Sequence, residues 1–449
     1  MDINRHSLIK STFRKAVRKQ GVWSEQKAVA LVTGHFGCGK TTLLLDYFKN
    51  RKHFYFSFEG LEENVAEKLF ADRVSSLTNQ AVTGWDGAFL AISKRYNFII
   101  FDDITSILSY KRFKNSLYEN MFKDSSNRLL IFFLTQPSDD FAKLADHFDK
   151  VEMDYFTVPE VMKLYPELSK YNILGLCAIS GGITAILSEY NDQLAFEENL
   201  IAFLNPASAF IEFMPTLMNR YFRKPETYHN ILHAIANGNN RISEIGKFTG
   251  YAYNKCDNYV SALVSAGIIK ADKEKSKHGT AKTAYIFENP YFRIWYRYIY
   301  ANRTDIIIGN NDVIENIAKS IIEKEIHVFH IQKSFSYVNN KTSKLWERFN
   351  IIEKIPYAPQ TIEKDNFKYD FDAIHRNGDM AIFVKVFADP LENCKKEEYM
   401  KIEKAIALAN TYYNSHVFIF SKRRFSAYAA RQAPKDEVIT TVEVDRLKF

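Results

Sequence analysis

The stretch Gly34-His35-Phe36-Gly37-Cys38-Gly39-Lys40-Thr41 constrains this 449-residue chain more than any other feature. It fits the pattern G-x-x-x-x-G-K-[ST] at every required position. Glycines at that spacing let the backbone wrap tightly, so successive N–H groups converge on one point. Such a cradle suits phosphate oxygens. An ammonium at Lys40 would neutralise the outer phosphates, and the hydroxyl of Thr41 is of the kind that ligates Mg²⁺. The flanks agree with this reading. Ala28-Val29-Ala30-Leu31-Val32 reads as a buried strand running into the loop, and Leu43, Leu44, Leu45, Tyr47 and Phe48 mark a helix leaving it. The positive end of that helix would face the same phosphates. The expected cofactors are therefore ATP and Mg²⁺, held by Gly34, His35, Phe36, Gly37, Cys38, Gly39, Lys40, Thr41 and Thr42. Cys38 occupies a free position of the pattern and reads as filler, not as a redox switch.

A phosphate loop of this kind needs a second strand ending in a carboxylate that holds Mg²⁺. Phe98-Ile99-Ile100-Phe101-Asp102-Asp103 supplies one. Four apolar residues make a strand buried on both faces, and Asp102 emerges at its carboxyl end. Asp103 stands where an acid that activates the attacking water would follow; Asp there is one methylene shorter than the more usual Glu. The competing reading of both acids is a polar strand end that caps the next helix. A further apolar strand, Leu129–Leu134, ends in Thr135-Gln136. Thr135 is a candidate sensor of the terminal phosphate, with an ordinary polar strand end as its equal rival. The catalytic candidates are thus Lys40, Asp103 and Thr135, and the metal candidates Thr41 and Asp102.

Strands expected at Lys27–Thr33, His53–Phe58, Asn97–Asp102, Arg128–Thr135 and Phe148–Tyr155 are separated by helix-length segments, which implies a parallel α/β sheet over residues 1–155. Residues 156–222 read as helical, broken at Gly181-Gly182. Residues 223–300 hold three short helices, a basic hairpin and an aromatic helix. Residues 301–449 return to α/β patterning. Charged residues at 25% and apolar residues at 46% exclude a disordered chain. No apolar run approaches ~18 residues, so no membrane span is expected. The start of the chain does not read as a secretion signal. Cys38, Cys177, Cys256 and Cys394 are too scattered for a disulfide framework or a metal site, and a reducing cytoplasm is the expected compartment. A net charge of +7 permits a nucleic-acid partner without requiring one.

Taken together these residues resemble the archaeal-type ATPases of the AAA/STAND lineage. The resemblance rests on Gly34–Thr41, on Asp102-Asp103, on Gly181-Gly182 within Ala178–Ile183, on Ile231–Ala236 with Ser243-Glu244-Ile245, and on the aromatic run Pro290–Tyr296. It extends over nearly the whole chain. It implies a P-loop ATPase core at 1–155, a helical lid at 156–222, a winged helix at 223–300, and a domain related to PD-(D/E)XK nucleases at 301–449. Family members usually carry Pro where this chain has Thr184, and Arg where it has His35 and Phe36.

The winged-helix reading places helices at Thr227–Asn237, Ile242–Thr249 and Asn254–Ala266, with Tyr259, Val260 and Leu263 facing the core. A hairpin follows over Ile268–Phe287. Lys270, Lys273, Lys275, Lys277 and Lys282 against Asp272 and Glu274 make that hairpin basic, which suits phosphate contact with DNA. A solvated surface hairpin, or a joint between domains or subunits, accounts for it equally well. Phe292, Trp295, Tyr296 and Ile299 recur at helical spacing and read as core. In the nuclease-like domain, Asp372 on the strand Lys368–Ile374 and Lys385 on Met380–Phe387 match the metal-site pattern, with Glu347 as the early acid. Phe383 stands where the second carboxylate belongs. Asp372 and Lys385 are therefore expected to form a structural ion pair, and nuclease chemistry is not expected. Asp370, two residues from Asp372, would share its face. The expected function is an Mg²⁺-dependent ATPase whose nucleotide state switches its appended domains. A DNA-binding ATPase, an ATP-gated nuclease, a structural protein that binds ATP with negligible turnover, and a homo-oligomer or protein-partner complex stay open.

Overall fold

The computed structural model describes residues 27–104, 107, 110–122, 129–135, 149–274, 282–341, 355, 357–364, 366–377, 380–387, 394–409, 414–421, 425–433 and 438–443. It is a mixed α/β protein in two compact units. The first comprises Met1–Phe156 with the short segment Ile183–Ala185; the second comprises Thr157–Gly182 with Ile186–Phe449.

The first unit is built on β1 (Lys27–Gly34), β2 (Phe54–Ser57), β3 (Phe98–Asp102), β4 (Leu129–Thr135) and β5 (Asp149–Met153), in the spatial order β2-β3-β4-β1-β5. Every pair is parallel. All five strands lie within two residues of the apolar runs that predict them. Parallel neighbours cannot be joined by tight turns, so helices return the chain and cover the sheet. Alternate residues consequently meet different helices. Leu31, Ile99, Phe101 and Ile131 join Phe70, Trp85, Phe89 and Phe113 on one face. Ala30, Val32, Ile100 and Leu134 join Leu43, Leu44 and Phe48 of the helix Lys40–Phe48 on the other. Asp102 lies two residues beyond Ile100, so its side chain leaves the strand on the face that this helix covers.

The second unit opens with helices Val158–Leu164 and Lys170–Ser180. The break read from Gly181-Gly182 is real: both residues have positive φ, 58° and 76°. At Gly181 a Cβ would come within 1.7 Å of the side chain of Asn289, whose amide donates to the Gly181 carbonyl at 2.9 Å. The Asn289 side-chain oxygen in turn accepts from the Tyr291 N–H at 2.9 Å and starts the aromatic segment. That segment is core, as its spacing predicts: Phe292, Trp295, Tyr296 and Ile299 are all buried. Within it Tyr291 Oη donates to the Phe210 carbonyl and Trp295 Nε1 to the Ile211 carbonyl.

Helices Glu226–Ala236, Ile242–Thr249 and Tyr253–Ser265 precede an antiparallel pair, β6 (Ile269–Glu274) and β7 (Lys282–Phe287). Val260 and Leu263 are buried as expected, and Tyr259 is half-buried against Tyr228. Further on, β8 (Gln360–Lys364) pairs with β9 (Phe367–Phe371), while β10 (Ala373–Asn377), β11 (Met380–Phe387), β12 (Ser415–Ser421) and β13 (Ile439–Glu443) form a second sheet in chain order. The helix Lys396–Leu408 packs on it through Tyr399, Ile402, Ala405 and Ile406.

The C-terminal sheet corrects three expectations. The strand expected over Lys368–Ile374 is two strands broken at Asp372, because Asp372 turns its own N–H to the Val384 carbonyl and takes the Val386 N–H on Oδ2 at 2.7 Å. That break separates the faces of Asp370 and Asp372; Asp370 is exposed and accepts from Thr361 Oγ1. Asp372 and Lys385 form no ion pair among the described residues. The Lys385 ammonium lies instead over the rings of Tyr369 and Phe387.

Candidate nucleotide-binding site

β1 ends in Gly34, and the helix Lys40–Phe48 begins immediately after Gly39. Gly37 and Gly39 adopt left-handed backbone, φ 80° and 87°. At Gly39 a side chain is doubly excluded, since a Cβ would also lie 2.9 Å from Thr184 Oγ1. The loop closes around its own cation. Lys40 Nζ donates to the carbonyls of Gly34 at 2.7 Å and His35 at 3.0 Å, with Cys38 Sγ at 3.9 Å. Cys38 is fully buried, in keeping with a filler role. The imidazole of His35 stacks on Tyr155, centroids 5.7 Å apart, and Tyr155 Oη donates to the Phe36 carbonyl. Thr42 is exposed. The Gly37 carbonyl accepts the Thr184 N–H at 3.1 Å. The Thr184 hydroxyl is buried and has no hydrogen-bond partner among the described residues.

β4 separates β1 from β3 in the sheet, yet the ends of β1 and β3 communicate through side chains. Thr41 Oγ1, in the first turn of the helix, donates to Asp102 Oδ2 at 2.5 Å. Tyr55 Oη donates to the same oxygen at 3.0 Å, and the Asp103 N–H donates to Oδ1 at 2.9 Å. Asp102 is only 9% exposed, and these three donors compensate that burial. Burial first, and then the negative charge of Asp102, raise the Tyr55 hydroxyl far above its ordinary range, so it stays a donor. Asp103 sits at φ 53°, a left-handed conformation that Asp tolerates better than most residues.

The carboxylate of Asp102 and the hydroxyl of Thr41 are hard oxygen donors within 2.5 Å of each other, a donor set that suits Mg²⁺ with water completing its shell. Thr135 ends β4 opposite Thr33 of β1, between the loop and the acidic strand end. Its side chain, and Gln136, lie outside the described residues. Sequence reasoning missed Tyr55. Its register, with Tyr55 opposite Ile100 and Ser57 opposite Asp102, is set by strand pairing. No linear motif carries that information; an aromatic hydroxyl on a strand predicted beside the acidic one is the available signal.

The other candidate residues are less concentrated. Phe383, the position at which the expected pattern would need a carboxylate, is fully buried against Phe371. Burial pushes the Asp372 carboxyl up, opposed by the Val386 N–H and by the charges of Lys385 and His327. Glu347 lies outside the described residues. Among the described residues no cluster of His, Cys, Asp and Glu could hold a metal. On the β6–β7 pair, Lys270 is engaged with Glu288 at 3.0 Å. Lys275, Lys277 and the side chains of Lys273 and Lys282 lie outside the described residues. Among the described residues no helix is long and apolar enough to cross a membrane.

No protein-family model matches the chain. An uncharacterized protein of Methanocaldococcus jannaschii is 23% identical over 379 residues, covering 79% of this chain and 82% of that protein. Among solved structures, the chain is similar to the Walker-type ATPase of Pyrococcus abyssi, with a TM-score of 0.45 and 16% identity over 66% of this chain and 95% of that one. It is also similar to the Aeropyrum pernix ORC1 protein solved in complex with DNA, with a TM-score of 0.36 and 14% identity over 71% and 93% of the two chains.

Proposed function

We propose that the chain is an Mg²⁺-dependent ATPase. The observation that carries this reading is the 2.5 Å hydrogen bond from Thr41 to Asp102, which brings a complete phosphate-loop sequence and an acidic strand end into one site. In this reading the N–H groups of Gly37–Lys40 and the Lys40 ammonium bind the phosphates. Lys40 exchanges its loop carbonyls for phosphate oxygens. Thr41 and Asp102 hold Mg²⁺, which when bound neutralises phosphate charge. His35, Phe36 and Thr42 border the nucleotide, Asp103 orients or activates the attacking water, and Thr135 senses the terminal phosphate. The buried strand ends and low local dielectric make these charges effective.

The remainder of the reading concerns what turnover serves. A helical lid over 156–222, a winged helix over 223–300 and a nuclease-like but metal-free domain over 301–449 are the parts that nucleotide state would switch. DNA backbone is the proposed partner of the winged helix through its basic hairpin, while on the helix Tyr253–Ser265 the exposed Lys255 and Asn258 are offset by exposed Asp257. Steady-state ATP hydrolysis by the full chain, with and without duplex DNA, tests both statements. Hydrolysis that needs Mg²⁺ and vanishes in Lys40→Ala supports the ATPase, and stimulation by DNA supports the partner. Absence of nucleotide binding refutes the first, and DNA indifference the second.

A further inference from the structure

The Asp102 carboxylate is held by a residue from a strand that carries no recognised motif. β2 runs parallel to β3 at the edge of the sheet, and Tyr55 lies two residues before Ser57, the partner of Asp102 in the register. Residues two apart share a face, so Tyr55 projects on the side of the sheet covered by the helix Lys40–Phe48. There its ring packs beside the cluster of Leu44, Phe48 and Ile100, which fixes its direction. The phenol then reaches along the sheet and donates to Asp102 Oδ2 at 3.0 Å.

Two donors therefore share Oδ2, and they are not equivalent. Thr41 has one proton and two lone pairs. As a ligand of Mg²⁺ it would offer a lone pair to the ion while its proton can still reach Asp102, so its orientation would be shared between the two. Tyr55 has no such second duty, and its phenol donates to Oδ2 at 3.0 Å from a ring held against the neighbouring apolar cluster. The remaining contact, Asp103 N–H to Oδ1, fixes one oxygen only and leaves rotation about the carboxyl bond soft. A half-buried neutral donor on Oδ2 removes that freedom while leaving the carboxylate its full charge.

We propose that Tyr55 is the positioning residue that sets the Asp102 carboxylate for Mg²⁺, a role that rests on the nucleotide-site reading above. Groups that orient a metal-holding ligand typically change metal affinity 10- to 100-fold when lost. A contact to Mg²⁺ made through water belongs at the lower end, about tenfold.

Tyr55→Phe removes the hydroxyl and keeps the ring. Binding of a fluorescent ATP analogue to the full chain is titrated with Mg²⁺, and measured separately in EDTA. The Mg²⁺ concentration for half-maximal tightening is expected to rise about tenfold, with the EDTA affinity unchanged. The Mn²⁺ spectrum of the nucleotide complex, read by electron paramagnetic resonance, is expected to broaden as the carboxylate loses its fixed orientation. If Tyr55→Phe does not fold by circular dichroism, Tyr55→Met gives the same comparison. An unchanged Mg²⁺ dependence overturns the proposal. So does an equal loss of affinity with and without Mg²⁺, which is the mark of a packing role. If wild type itself binds no nucleotide and equals Lys40→Ala, the nucleotide reading fails and the inference falls with it.

Discussion

The Lys40 ammonium donates to the Gly34 carbonyl six residues upstream, at 2.7 Å, so this cation is folded back on its own loop's backbone. Those carbonyls are weak partners compared with a polyphosphate. Lys40→Ala is expected to leave the fold intact by circular dichroism and to lower affinity for a fluorescent ATP analogue by roughly 10²-fold or more, the scale of a lost charge-assisted contact. Unchanged affinity removes the site.

Asp103 offers a cleaner substitution than most acids, because its backbone is left-handed. Asn also tolerates that conformation, so Asp103→Asn removes charge without adding backbone strain. Nucleotide binding is expected to persist while turnover falls roughly 10²-fold, the scale of a lost general base. Wild-type turnover in this variant shifts the role to another group.

Thr184 carries a buried hydroxyl with no hydrogen-bond partner among the described residues. Thr184→Val keeps the shape and removes that unsatisfied group. The nucleotide-free protein is expected to gain about 1 kcal/mol, a rise in melting temperature of about 2–4 °C. A loss of stability by thermal melting means the hydroxyl is satisfied in solution.

Gly181 combines a φ of 58° with the side chain of Asn289 in the space a Cβ needs. Gly181→Ala displaces Asn289 from both the Gly181 carbonyl and the Tyr291 N–H. Urea unfolding is expected to show a loss of about 2–4 kcal/mol. Gly250→Ala, with φ 74° but nothing within 4 Å of a Cβ, is the control. It is expected to lose only about 1 kcal/mol from backbone strain.

His229 is held down at about 4 by burial and then by the charge of Arg303, and its Nδ1 pairs with Tyr296 Oη at 2.8 Å. Its unfolded value is near 6.5. Between those values the unfolded chain binds a proton that the folded chain refuses. Stability is therefore complete above about pH 6.5 and declines as pH falls toward 4, by roughly 1–2 kcal/mol once solvent screening of this partly exposed ring is discounted. His229→Asn is expected to flatten the dependence of urea unfolding on pH across that window. An unaltered slope assigns the acid sensitivity elsewhere.

The strand–loop–helix at Gly34–Thr41 and the strand end at Asp102 were legible because each is encoded locally. Loop glycines fall at fixed offsets, and a strand buried on both faces is a continuous apolar run that must end somewhere polar. The aromatic segment was legible for the same reason, through its helical spacing. Tyr55 was not, since its meaning arises from the register of β2 on β3. The division of Lys368–Ile374 at Asp372 was hidden too. Its cause is a pair of backbone groups on β11, Val384 and Val386, more than ten residues away. Long-range hydrogen bonding, not local propensity, decides such breaks.

Ile183–Ala185 cluster with the N-terminal unit although the residues on either side of them belong to the other. Their Thr184 N–H is the donor that covers the Gly37 carbonyl in the phosphate loop. A gene truncated after Phe156 therefore encodes a unit that lacks three of its own residues, and a cut after Ala185 regains them only by carrying Thr157–Gly182 of the other unit along.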